Sequence, residues 1–284
     1  MAAFSDPKFF KDKALFQFTA STSDGLIPLI HTGGLKGAMT GVEKLGGLNA
    51  IQSYIQSCSQ GPIFLDSGNF TDPVHDFYSN LDFLTELVRS GLSLATLGKN
   101  ELLTPPADLK KLVEKSGVKI LGNALDKYGL VLGSTYYSKA IIRWGKYKVG
   151  VLPTRGITLS ELNRKALELK LLHQCDIILG LGPVPFSAKL DLLKSKHHEV
   201  NHYFCDAEDT FPLGTQVFQS KKQTEFWISK PGEMGKYLGV FDYTINKNYR
   251  IHHFNNLSFV PGEAGLNNKM AFLSQSFTNP NQII

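Results

Sequence analysis

Two short polar runs follow apolar stretches and carry side chains that can hold or activate a ligand. Asp66-Ser67-Gly68-Asn69 comes after Pro62-Ile63-Phe64-Leu65, and Gly98-Lys99-Asn100-Glu101 comes after Leu92–Leu97. Carboxylate and amide oxygens at such places suit hard divalent cations. An ammonium such as Lys99 does the opposite, because a cation brought within about 4 Å of it is strongly repelled at the low effective dielectric of a cleft. Other chemistries are poorly supported. His197, His198 and His202 are near one another, but His202 falls in a predicted strand and the other two in a Lys-rich turn, so they read as surface histidines. His252 and His253 alternate across a strand and cannot chelate together. His31 precedes Gly33-Gly34 and reads as a loop histidine. Ser21 and Ser23 lack the Gly-x-Ser-x-Gly setting of an activated serine, and Gly180-Leu181-Gly182 lacks the third glycine and the helix of a dinucleotide turn. Cys58, Cys175 and Cys205 show no metal spacing and allow at most one disulfide; Cys205 reads as a buried thiol.

The elements that must position these residues alternate. Leu15–Thr19 reads as a first strand, and Pro62–Asp66 and Leu92–Leu97 as strands buried on both faces. Between the latter two, Phe77, Leu81, Leu84 and Val88 recur at helical spacing. Val118–Leu121 follows a short helix after Pro105-Pro106. Strand–helix–strand alternation implies right-handed crossovers and a largely parallel sheet. From Tyr136 the texture changes: residues 137–143 and 147–152 read as an antiparallel hairpin around Trp144-Gly145-Lys146. A helix opens at Thr158-Leu159-Ser160-Glu161, a capping box, and buries Leu162, Ala166 and Leu169. Cys175–Leu179 is another buried strand, and the remainder to Val260 is mostly β.

Composition bounds the function. With 42% hydrophobic and 19% charged residues the chain is an ordinary globular sequence. A net charge of +5 without a long Lys/Arg block gives nucleic-acid binding little support. No run of 18 apolar residues exists, which excludes a spanning helix. Lys8, Lys11, Asp12 and Lys13 interrupt any signal-peptide pattern.

In this order the elements resemble the calcineurin-like metallophosphoesterases, specifically the N-terminal domain of the bacterial 5′-nucleotidases. Gly46-Gly47-Leu48 resembles the glycine-led start of that family's first helix. Phe64-Leu65-Asp66-Ser67-Gly68-Asn69-Phe70 is similar to its Leu-Leu-Asp-Ala-Gly-Asp-Phe, Lys148–Leu152 to its Lys-Val-Gly-Val strand, and Gly232–Gly239 to its Gly-x-x-Gly-x-x-Leu-Gly segment. The resemblance implies an α/β (α+β) fold of two packed mixed β-sheets flanked by helices, a four-layer sandwich over residues 1–262. A polar tail, 263–284, would follow, and the nucleotide-binding C-terminal domain of full 5′-nucleotidases would be missing. Relatives of this kind are mostly periplasmic or surface-exposed, so the same localisation is implied.

The resemblance also implies a dismantled site. Such enzymes hold two divalent ions that orient the phosphate and activate a water. Here the Asp-x-His after the first strand falls on Ser21-Thr22-Ser23, the bridging Asp on Asn69, and the Asn-His pair on Lys99-Asn100. A later Ser-His falls on Gly182-Pro183, and the two histidines of Gly-His-x-His fall on Ala207 and Asp209. No metal or other cofactor is therefore expected. Lys99 is expected in an ion pair, above all with Asp209, or as an anchor for an anion. The expected protein is a catalytically inactive binding or assembly subunit, with a protein or small anionic ligand as partner. The alternative is a phosphoester hydrolase using a displaced or single metal site.

Overall fold

The computed structural model describes residues 15–20, 26–41, 46–58, 61–123, 127–184, 198–206, 213–219, 225–245 and 251–259. The expected tail, 263–284, lies outside the described residues. Two mixed seven-stranded sheets pack face to face, as the sequence leads one to expect.

One sheet is built around β2 (Leu26–Thr32), β3 (Ile63–Asp66), β4 (Leu92–Thr96) and β5 (Ile120–Leu121), all parallel. It is extended by the two-residue β6 (Tyr136–Tyr137) and, on its other flank, by the antiparallel β13 (Leu238–Ile245) and β14 (Ile251–Phe259). The second sheet contains β1 (Leu15–Ala20), then the hairpin β7 (Lys139–Trp144) and β8 (Tyr147–Pro153). Next come β9 (Ile177–Leu181), β10 (His202–Phe204), β12 (Glu225–Lys230) and β11 (Gly214–Gln219).

Period-two alternation explains why the strand runs are apolar throughout. On β3, Ile63 and Leu65 enter the core between the sheets with Leu94, Ile142, Val151 and Leu179, while Phe64 enters the core beneath the helices. That outer core holds α1 (Gly47–Ser57), α2 (Phe77–Arg89), α4 (Pro106–Ser116) and α5 (Lys127–Leu132) against the first sheet. A third cluster packs α6 (Leu159–Leu171) through Leu162, Ala166 and Leu169 onto the second sheet. The Thr158 hydroxyl caps α6 by accepting from Glu161 N at 3.2 Å.

Two sequence readings shift. The stripe expected on α2 is rotated: Asn80, Phe83, Leu84 and Leu87 are its buried residues, with Phe77, Leu81 and Val88 flanking them. Asn80 takes the inner face because its amide holds both Asp72 N (3.0 Å) and Asp72 O (2.9 Å), fixing the loop that leads into the helix. The second shift is larger, since β2 is a strand that the sequence pattern does not announce. Pro28 interrupts its apolar run, as a proline within a central strand ordinarily argues against one. The ladder with β3 begins only at Leu29, beyond the residue that has no N–H to give.

Candidate functional site

Parallel strands deliver their following loops to one end of a sheet, and three of those loops are laced together here. After β2, Gly34 N donates to Gly68 O (2.7 Å), Lys36 N to Asn69 O (2.9 Å) and Gly37 N to Phe70 O (2.8 Å). The third loop, at Gly98, presses on the second so closely that a Cβ on Gly98 would lie 2.2 Å from Asn69 N. Glycine is required there by space alone.

Glu101 is the centre of this lacing. It sits in α3 (Lys99–Leu103) and is wholly buried. One carboxylate oxygen accepts from Gly98 N (2.7 Å) and Asn69 N (2.8 Å), and the other from Thr71 N (2.8 Å) and Thr71 Oγ1 (2.7 Å). Burial raises its carboxyl above the ordinary value, against the pull of these donors. The bonds hold Asn69 in a left-handed conformation, φ 56°, which Asn tolerates better than most residues.

The Asn69 amide is committed at both ends. Its Oδ1 accepts from Asn100 N at 2.8 Å, and its Nδ2 donates to the carboxylate of Asp206, just past the end of β10 in the opposite sheet. The Asn100 amide in turn donates to Thr71 O at 2.9 Å. Asp206 is 3% exposed, so the position where the resemblance puts a bridging aspartate holds a buried amide–carboxylate contact between the sheets. A second crossing lies beside it, where Ser67 Oγ meets Cys205 O (2.7 Å) and His31 Nε2 (3.1 Å).

Several expectations are corrected by these positions. β1 pairs with β7 at the edge of the second sheet, whereas the strand beside β3 is β2. The loop that follows the strand beside β3 is therefore the one through Gly34, Leu35 and Lys36, while Ser21 and Ser23 lie outside the described residues. Lys36 Nζ in that loop is 3.3 Å from Glu233. Ala207 and Asp209 also lie outside the described residues. Lys99 precedes the Asn100 whose N–H bonds Asn69; it is exposed and makes no ion pair among the described residues, and the expected pair with Asp209 lies outside them. Pro183 follows β9, and its carbonyl accepts from Thr154 Oγ1 at 3.0 Å.

The histidines are also reassigned. His31 is on β2 and fully buried, its imidazole pushed down to about 3 by burial. His198 and His202 are buried rather than on the surface, and His197 lies outside the described residues. His202 is held between Tyr243 Oη (2.6 Å) and Ser229 Oγ (2.5 Å), deep in the inter-sheet core. Asp206, Glu101 and Lys36 were missed as site residues. Glu101 was the most legible of them, as the last residue of the quoted Gly98–Glu101 run.

Asp66 titrates unusually. It is wholly buried, with Thr32 Oγ1 donating to Oδ2 (2.6 Å) and Gly68 N to Oδ1 (2.8 Å). Burial outweighs these donors and pushes its carboxyl up to about 7. Between the ordinary carboxylate range and that value the folded chain holds a proton that the unfolded chain has released. Its stabilising contribution is therefore whole at acid pH and is lost as pH rises through the window, at no more than about 1.4 kcal/mol per pH unit. Asp66→Asn is expected to flatten this decline. Urea unfolding of both proteins at several pH values between 4.5 and 8 checks it, and parallel curves would refute the assignment.

Paired divalent ions do not fit the residues that face one another. Among the described residues no three His, Cys, Asp or Glu side chains are grouped to hold a metal ion. The Asn69 carboxamide oxygen is taken by Asn100 N, and Lys99 and Pro183 stand where the resemblance puts ligands. Such ligands must be oxygen anions or neutral imidazoles.

Sheets, helices and loops together define the calcineurin-like metallophosphoesterase fold, in the form seen in the N-terminal domains of 5′-nucleotidases. The chain is similar to a 5′-nucleotidase precursor of Thermus thermophilus, with TM-score 0.68 and 16% identity over 84% of this chain and 55% of that one. It is similar too to the NAD nucleotidase of Haemophilus influenzae, with TM-score 0.71 and 12% identity over 88% of this chain and 54% of that one. The sulfate thiohydrolase SoxB of Thermus thermophilus gives TM-score 0.58 and 13% identity over 80% and 45%. The chain thus spans about half the length of these proteins, and at such identities the likeness is one of fold. No protein-family model and no curated protein sequence matches it.

Proposed function

We propose that this chain is a non-catalytic member of the metallophosphoesterase fold that acts by binding, with a protein or a small anionic ligand as its partner. The observation that carries this reading is the Asn69 amide, spent on Asn100 N and the Asp206 carboxylate at the position where the resemblance puts a metal-bridging aspartate. Lys99, exposed in the turn beside the Asn69 loop, adds fixed positive charge at the position where the resemblance puts an asparagine ligand. A cation entering there would meet repulsion in place of ligands.

The test is metal content together with hydrolysis. Protein purified without chelators is expected to carry well under one transition metal per chain, and to leave a generic aryl phosphate intact when manganese is added. Two ions per chain, or manganese-dependent turnover that Asn69→Ala abolishes, would overturn the proposal.

A further inference from the structure

A second polar site lies on the other flank of the Leu97–Gly98 turn, at the ends of β4 and β5. Arg155, in the turn after β8, reaches from one sheet to the other and donates from Nε to Leu97 O at 2.9 Å. That is the one hydrogen bond its guanidinium makes among the described residues, and no described carboxylate is paired with it. Beside it Thr96 is 1% exposed, and its hydroxyl has no hydrogen-bond partner among the described residues. Both residues line a recess of about 10 Å³ whose wall also includes Asn123 and Tyr136. Asn123 braces the wall by donating to Gly156 O at 3.1 Å, which ties the end of β5 to the arginine's own turn.

A planar cation and a threonine with an unpartnered buried hydroxyl line one recess, and such groups ask for oxygen acceptors carrying negative charge. The volume admits about one oxygen-sized atom. The remainder of any ligand must stay at the rim, where the part-exposed guanidinium lies. A water would satisfy Thr96 and leave the charge of Arg155 without a counter-ion. We propose that Arg155 and Thr96 form an oxyanion site that takes one terminal oxygen of a phosphate or carboxylate group presented end-on. The site goes beyond the reading above and does not depend on the loss of metal ligands, since none of its residues belongs to the Asn69 contact.

The test titrates the full chain with inorganic phosphate and, separately, acetate at constant ionic strength, read by thermal shift and by calorimetry. At least one anion is expected to bind and raise the melting temperature, and which of them does so identifies the group. Arg155→Gln is expected to weaken that binding about tenfold or more. Arg155→Lys, which keeps the charge without the fork, should also weaken it if the guanidinium geometry matters. Thr96→Val removes the unpartnered hydroxyl in nearly the same shape, so it should lower affinity without lowering the melting temperature of the free protein. Because that variant tests the recess without touching Arg155, a misfolded arginine variant does not shield the proposal. Binding unchanged in Thr96→Val and in either arginine variant would overturn it, as would no response to either anion at tens of millimolar. Asn69→Ala should leave the anion response intact, which separates this site from the former metal cleft.

Discussion

Replacing Glu101 with alanine is expected to destabilise the folded chain by about 5 kcal/mol, the largest effect of any single change at the site. The carboxylate accepts four hydrogen bonds, three of them from backbone amides of two loops. Each buried amide left without an acceptor costs about 1–3 kcal/mol, and the vacated volume adds to this. Glu101→Gln should lie between, because its oxygen can keep two of the donors while its NH2 faces the other two. Urea unfolding gives the free energies directly. At about 2–4 °C per kcal/mol for a domain of this size, the alanine variant should melt some 10–20 °C lower. A loss below about 1 kcal/mol would mean that the loops hold one another without Glu101.

Placing at position 69 the acid that the resemblance implies should harm this protein. In Asn69→Asp the donor to Asp206 is lost and a second carboxylate is brought against the first in a buried place. Breaking such a pair typically costs about 3–5 kcal/mol. The new pair cannot both ionise cheaply, so one of the two carboxyls is held above its ordinary range when folded. The folded variant then keeps a proton that the unfolded chain gives up, and its stability falls as pH rises through that raised value. The penalty relative to wild type is thus expected to be small near pH 4 and full at pH 8. Chemical unfolding across this range decides the matter. A penalty that does not change with pH would show that repulsion between Asp206 and the introduced acid is not its source, and a variant as stable as wild type at pH 8 would remove the Asp206 contact from the account.

Local sequence determined a good deal of this molecule. The apolar runs at Ile63–Asp66 and Leu92–Thr96, the hairpin of β7 and β8, and the Thr158 cap of α6 were all legible because each is set by residues within a turn or two of one another. So was the meeting of Asn69 with the Lys99–Asn100 turn, since two parallel neighbouring strands deliver their loops to one end. Tertiary structure alone decided which strand stands beside β3. Pairing is a long-range choice, and Pro28 hides β2 in the sequence because its cost depends on where the ladder starts. That choice puts the loop through Gly34 and Lys36, which follows β2, against the Asn69 loop. The partner of Asn69 was likewise invisible: Asp206 is 137 residues away, and only the stacking of two sheets brings its carboxylate to the amide. The burial of His198 and His202 followed the same rule, because hydrophobic neighbours such as Phe226 and Phe241 reach them from other strands. Residue types set which groups the loops can offer to a ligand. Which groups filled the space was settled by contacts between strands far apart in the chain.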